Sequence, residues 1–153
     1  MTSLLHPSTY INKILIGSSQ GSLQLWNIRT QTLIYTFKGW GSRVTQLSQA
    51  PAIDIVAIGL ENGSIYIHNL RIDETLMKFK QEWGSIESLS FRSDGQPFMV
   101  SSSSSGHLAV WNLDQNRLES QMRHIHSGRV VGTTFINGEP LLVTNSDDNS
   151  LKV

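Results

Sequence analysis

Hydrophobic and polar residues alternate along most of this chain, and short apolar segments are separated by polar turns. Ile14-Leu15-Ile16-Gly17 leads through Gln20-Gly21 to Leu23-Gln24-Leu25-Trp26-Asn27, and the stretch from Val56 to Asn69 has the same form. Alternation over roughly five to seven residues is typical of half-buried strands, whereas the period of an amphipathic helix is almost absent. The pattern therefore predicts an all-β chain.

The paired segments recur at a nearly constant interval. The residues in the turns between paired strands are Gly21, Gly63, Gly106 and Asn149, which lie 42, 43 and 43 residues apart. Four-stranded propeller blades repeat every ~40 to 45 residues. We therefore expect residues 1–153 to form an incomplete β-propeller of about four blades, each a four-stranded antiparallel sheet. The approximate blade units are 1–38, 39–81, 82–123 and 124–153.

Turn chemistry supports the strand boundaries. Asn62-Gly63 predicts a two-residue hairpin, because Asn and Gly tolerate positive φ. The serine run 101–105 resembles a flexible linker, but its place in the repeat predicts the end of a second strand and the turn that follows it. Inner strands are predicted at 44–48, 86–91 and 130–135, and outer strands at 32–37, 75–79 and 117–122.

These segments resemble the WD repeat. In its usual form, Gly-His precedes a Val by four residues, a Ser-rich second strand and an Asp-Gly turn follow, and the third strand ends in Trp-Asp. The last copy fits best, with His126 four residues before Val130 and Asp148 in the turn. The resemblance implies a WD-type β-propeller in which the His, the turn Asp, a second-strand Ser or Thr and the Trp form a buried hydrogen-bonded set.

Other copies depart from this pattern. Gln20, Asn62 and Ser105 stand in place of the turn Asp. Trp40 and Trp83, which are 43 residues apart, stand in place of the His and are interpreted as equivalent residues that pack between blades, with a recognition anchor as the alternative. Most blades should then rely on apolar packing. The structural repeat positions are Gly21, Trp26, Trp40, Gly63, His68, Trp83, Gly106, Trp111, His126 and Asp148.

Longer segments resemble a more specific family, the tandem-propeller WD-repeat subunits of the small-subunit processome of the UtpB type. The segments are 6–15, 35–40, 50–59, 74–79 and 140–145. The resemblance implies part of a first propeller and a non-catalytic protein-interaction scaffold that acts in small-subunit precursor rRNA processing, in the nucleus and nucleolus. Implied partners are other WD-repeat proteins of the processome. Precursor rRNA or small nucleolar RNA would be reached through the assembled complex.

The charge and residue composition of the chain limits the kinds of partner that it is expected to bind. The chain carries 12 Lys plus Arg and 12 Asp plus Glu, so its formal net charge is zero. Any direct RNA contact should be confined to small basic spots, such as Arg117, Arg123 and Arg129 if these share a face. The chain contains no cysteine, which excludes disulfides and thiolate metal sites. No segment approaches the roughly 18 apolar residues of a membrane span, so no membrane partner is expected.

The sequence contains no nucleophile elbow and no phosphate-binding glycine loop. We expect no catalytic residue, cofactor, metal or small-molecule substrate. Two alternatives remain, a WD scaffold of another pathway, such as ubiquitin-ligase substrate recognition, and a propeller enzyme. Ionisable residues with displaced pKa values that converge on the central channel would favour the enzyme. Apolar or charged patches on the rim would favour the scaffold.

Overall fold

The computed structural model describes residues 1–153 and contains fifteen β-strands. The strands are β1 (Ser3–Leu5), β2 (Lys13–Gly17), β3 (Leu23–Asn27), β4 (Thr32–Phe37), β5 (Val44–Gln49), β6 (Ile55–Leu60), β7 (Ser64–Asn69), β8 (Glu74–Lys80), β9 (Ile86–Phe91), β10 (Phe98–Ser103), β11 (Leu108–Asn112), β12 (Arg117–Met122), β13 (Val130–Phe135), β14 (Leu142–Ser146) and β15 (Leu151–Lys152). No helix in the structure is long and apolar enough to cross a membrane.

Consecutive strands pair antiparallel in four sheets, which confirms the all-β propeller prediction. The first sheet is β1–β4, the second β5–β8 and the third β9–β12, while the fourth has only the three strands β13–β15. The inner strands lie side by side, since β1 contacts β5, β5 contacts β9 and β9 contacts β13. Side chains link them: the Thr133 amide donates to Ser88 Oγ at 2.9 Å and the Phe135 amide to Ser90 Oγ at 3.1 Å.

The turns between second and third strands share one conformation. Gly21, Gly63, Gly106 and Asn149 occupy the same place and have φ of +85°, +81°, +78° and +64°. Three residues separate β6 from β7, so the two-residue hairpin predicted at Asn62-Gly63 is wrong. The Gly63 amide closes a turn on the Leu60 carbonyl at 3.1 Å, and only Gly63 needs positive φ. A β-carbon there would also collide with the Gln81 carbonyl.

The hydrophobic core lies between adjacent sheets. One cluster joins the first and second sheets through residues such as Leu15, Phe37 and Ile58, and a second joins the second and third sheets through residues such as Ile65 and Trp111. Because second strands are covered on both faces, Val56 to Leu60 are all buried. The serine run follows the same rule: Ser101 to Ser103 complete the buried end of β10, as predicted, and the turn begins at Ser104.

Candidate protein-interaction surface

A buried hydrogen-bonded set holds the third sheet together. The Trp111 indole donates to Ser101 Oγ at 2.9 Å, and the Ser101 hydroxyl donates to Gln81 Oε1 at 2.9 Å. All three residues are buried. Gln81, and not Trp83, therefore supplies the side chain that the motif histidine would supply, and this sheet has a buried polar set in addition to its apolar packing. Burying these polar groups is tolerated because each has a partner.

The backbone shows why the tryptophan alignment fails. The Trp40 amide donates to the Gly21 carbonyl at 3.1 Å, and the Gln81 amide donates to the equivalent Gly63 carbonyl at 3.0 Å. By this backbone bond Trp40 matches Gln81 and also Ile125, the residue before His126, whose amide donates to the Gly106 carbonyl at 3.1 Å. Trp83 makes no such bond, so the expected equivalence of Trp40 and Trp83 is wrong. Trp83 is half-buried and stacks on His107, with ring centroids 5.8 Å apart. No sequence signal singled out Gln81, because its role depends on the course of the loop after β8.

In the fourth sheet, His126 is the centre of a polar set. Its Nε2 lies 2.9 Å from Thr144 Oγ1, and its Nδ1 lies 2.8 Å from Ser150 Oγ and 3.3 Å from Asp148 Oδ2. Hydrogen bonds from Ser150, first of all from its hydroxyl, hold the pKa of Asp148 well below its usual range. A hydrolase triad needs Asp and Ser on opposite ring nitrogens. Here both face Nδ1, so the set holds β14 and β15 to the preceding loop.

The first two sheets have no such set. Ile16 and Ile58 stand where Ser101 and Thr144 stand in the later sheets, as the strand register shows. His68 takes the place of Trp26 and Trp111 at the end of the third strand. The Trp26 indole is half-buried and donates to Gln24 at 3.0 Å.

His68 is buried among aromatic rings. Its centroid lies 5.2 Å from that of Trp40 and 5.6 Å from that of Phe37, both in edge-to-face geometry. Burial lowers the pKa of His68, and the Asp73 carboxylate, 3.2 Å from its Nε2, opposes this only in part. Trp40 is half-buried and packs on this ring.

Two tyrosines lie at the junction between the first and second sheets. Tyr10, in the loop between β1 and β2, packs against the core cluster of this junction beside Asp54 of the second sheet. Partial burial, together with the nearby Asp54 carboxylate, raises the pKa of Tyr10 to about 12. Tyr35 on β4 donates its hydroxyl to Asp73 Oδ2 at 2.7 Å. Each tyrosine thus reaches a carboxylate of the next sheet.

The junction between the second and third sheets is open instead. A groove of about 420 Å³ lies there, and its walls belong to two complete four-stranded sheets. Most of its lining is apolar, including Ala52, Ile55, Ile67, Met77, Phe91 and Pro97. Binding clefts typically measure ~300 to 1,000 Å³ and are lined mainly by apolar side chains. This groove, which we call the interblade groove, is the candidate interaction surface.

Charged residues gather elsewhere, at the ends of the inner strands. A polar cavity of about 280 Å³ is lined by Arg43, Glu61, Glu87 and Arg129, among others. The Arg129 guanidinium lies 3.8 Å from Glu87 and 3.6 Å from Asp147, so its charge is opposed by two carboxylates. No group of three or more His, Cys, Asp or Glu side chains is positioned to hold a metal ion.

The three arginines considered for RNA contact do not share a face. Arg117 begins β12 and pairs with Glu119 at 3.3 Å, whereas Arg123 follows the other end of that strand. Arg129 lies before β13 and faces Glu87 and Asp147. The basic spot suggested by the sequence is therefore not formed by these residues.

Comparison with known proteins identifies close relatives. The chain is 56% identical over 153 residues to WD repeat-containing protein 36 of Homo sapiens, covering 100% of this chain and 17% of that protein. It is 46% identical over 153 residues to the U3 small nucleolar RNA-associated protein 21 homolog of Schizosaccharomyces pombe, covering 99% of this chain and 17% of that protein. The chain thus spans about a sixth of the length of these curated relatives.

Solved structures agree on the fold. The computationally designed Ika4 protein superposes with a TM-score of 0.80 at 22% identity, covering 99% of this chain and 88% of that one. At this identity the likeness supports the fold alone. The model of the WDR36/Utp21 first beta-propeller matches residues 1–153. The chain therefore belongs to the WDR36/Utp21 first beta-propeller family.

Proposed function

We propose that this chain is a non-catalytic protein-interaction scaffold in small-subunit precursor rRNA processing, acting in the nucleolus. The observation that carries the proposal is the family match over all 153 residues, together with the name of the S. pombe relative, which associates that protein with U3 small nucleolar RNA. Its partners would be mainly other WD-repeat proteins of the processome. Precursor rRNA and small nucleolar RNA would be bound through the assembled complex.

The geometry favours a scaffold over a propeller enzyme. Most side chains with a displaced pKa, namely Tyr10, Tyr35, His68 and Asp148, lie at sheet junctions or inside a hydrogen-bonded set, and the remaining two, Arg92 and Asp94, are paired with each other. Each is engaged by a neighbouring group of the chain itself. The interblade groove is one of several open apolar features, and such a surface suits protein contact.

A chimera tests this proposal on the chain itself. In S. pombe, the region of the relative that matches residues 1–153 would be replaced by this chain, and mature small-subunit rRNA would be measured with large-subunit rRNA as the internal control. We expect the chimera to restore small-subunit rRNA and to localise to the nucleolus. A folded chimera that leaves small-subunit rRNA depleted would refute the assignment.

A matched variant addresses catalysis. Ser150→Ala removes the hydroxyl nearest to His126. If Ser150 only helps to position His126, the chimera should still restore rRNA. A folded Ser150→Ala chimera that no longer restores small-subunit rRNA would support the enzyme alternative.

A further inference from the structure

We propose that the interblade groove binds an aromatic side chain presented by a partner protein. The inference deepens the proposed scaffold function and relies on its general form, protein binding, but not on the process in which it occurs. It rests on an internal comparison: Tyr10 and Tyr35 lie at the first junction, whereas the corresponding residues of the second junction carry no ring and line an apolar groove.

The loops that lead into the second strands show which residues correspond. The Lys13 amide donates to the Tyr10 carbonyl at 3.1 Å, and the Ile55 amide donates to the Ala52 carbonyl at 3.4 Å. In both loops the residue just before the strand has positive φ. Ala52 therefore corresponds to Tyr10. One junction places a phenol ring at this position, and the other places a methyl group that lines the groove.

The outer strands show the same difference. Tyr35 pairs with Leu25 in the first sheet, and Met77 pairs with the equivalent Ile67 in the second. Tyr35 reaches across to Asp73 of the next sheet, whereas Met77 lines the groove. Two positions that hold aromatic side chains in the first junction therefore hold no aromatic side chain in the second junction. The groove of about 420 Å³ has the size and lining of a binding cleft.

The chemistry of the groove specifies the occupant. Pro97 stands where Asp54 stands in the first junction, since the amides of Leu113 and Leu70 donate to their respective carbonyls. That position therefore has no carboxylate that could accept a hydrogen bond from the hydroxyl of an incoming tyrosine. Arg92 lines the groove, but its charge is opposed by Asp94, since its Nε donates to Asp94 Oδ1 at 3.0 Å; its guanidinium carbon lies 5.9 Å from the centroid of the Phe98 ring. The Phe91 and Phe98 rings also line the groove, and an incoming ring can pack against them edge to face, so Phe or Trp fits best.

The first experiment measures ring binding directly. In the whole protein as its gene encodes it, the methyl group of Met77 would be followed by NMR during titration with N-acetyl-L-tryptophanamide, and assigned with a Met77→Leu variant. We expect a saturable shift in the wild type and in the conservative control Ala52→Ser. Ala52→Tyr should weaken binding at least tenfold, because it supplies the ring that Tyr10 supplies in the first junction.

Other outcomes of the titration overturn the proposal. These are no saturable shift, equal binding of N-acetyl-L-leucinamide, or unchanged binding in a folded Ala52→Tyr variant. If Ala52→Tyr fails to fold, Met77→Tyr, read from the side-chain signals of Ile67 in place of the Met77 methyl, provides the same test from the outer strand. A failed chimera in the rRNA assay would leave this titration unaffected, so the two proposals fail separately.

The second experiment identifies the occupant in cells. Leu76 lines the groove and is 47% exposed, so a benzophenone amino acid at this position would report what enters. We expect a protein adduct that is lost in Ala52→Tyr and kept in Ala52→Ser. Replacing the partner's aromatic residue at the attachment point by Ala should abolish the adduct. Attachment to RNA, to a second copy of the chain, or to a segment without an aromatic residue would contradict the proposal.

Discussion

The first two sheets and the last two sheets of this molecule fill equivalent core positions with different kinds of residue. In the first two sheets, Ile16 and Ile58 make the second strands apolar, and Tyr10 packs against the core between the sheets. In the last two sheets, Ser101 and Thr144 occupy those positions and enter buried hydrogen-bonded sets. The difference shows that the repeat requires a filled core and satisfied polar groups, and not one fixed set of residues.

The largest effect should come from breaking the polar set of the third sheet. Ser101→Ala leaves two buried groups without a partner, the Trp111 indole N–H and the side-chain oxygen Oε1 of Gln81. Each orphaned group costs about 1 to 3 kcal/mol, so we expect a loss of about 3 kcal/mol in the opening free energy of β10 and β11. Hydrogen exchange of their amides measures it.

The matched control lies in the second sheet. Ile58→Val removes one methylene from the counterpart of Ser101 and should cost about 1 kcal/mol. Equal losses in the two sheets would mean that hydrogen bonding does not distinguish the halves of the molecule.

Opening the first junction should have the next largest effect. Tyr10→Ala removes a half-buried ring from the core cluster between the first and second sheets, and we expect a loss of about 2 kcal/mol in the free energy of unfolding, measured in urea. Ala52→Ser at the corresponding position should change it by less than about 0.5 kcal/mol. If both substitutions cost the same, the two junctions are not packed differently.

The hydroxyl of Tyr10 has a smaller effect that depends on pH. Tyr10→Phe keeps the ring and removes the hydroxyl near Asp54, which we expect to cost at most ~1 kcal/mol near neutral pH. The unfolded tyrosine titrates near pH ~10, whereas the folded pKa is raised to about 12. The wild type should therefore lose stability as the pH rises above ~10, because only the unfolded chain ionises there. A wild-type curve parallel to that of Tyr10→Phe in thermal melts would contradict this.

We expect the smallest effect from His68. Its folded pKa is lowered by burial, while an unfolded histidine titrates near ~6.5. As the pH falls below ~6.5, the unfolded chain takes up the proton first, so stability declines and then levels off below the folded pKa. His68→Gln should remove this part of the acid dependence. Identical melting curves of the two proteins between neutral and acidic pH would show that His68 is not buried in its neutral form.

The sequence by itself determined the repeat. The interval between Gly21, Gly63, Gly106 and Asn149 and the alternation of apolar residues depend on local geometry: a turn needs positive φ at one position, and a strand turns alternate side chains to opposite faces. For that reason the predicted bounds of the outer strand 117–122 and of the inner strands 86–91 and 130–135 agree with the structure.

Only the tertiary structure decided which residues meet between the repeats. Trp40 and Trp83 share a spacing of 43 residues, yet the loop after β8 places Gln81, and not Trp83, against Ser101. The groove likewise depends on Ala52 and Met77 facing Pro97 and Phe98 of the next sheet. Contacts of this kind join residues twenty or more positions apart along the chain. Their geometry is set by the path of the loops and the packing of the sheets, which a one-dimensional period does not record.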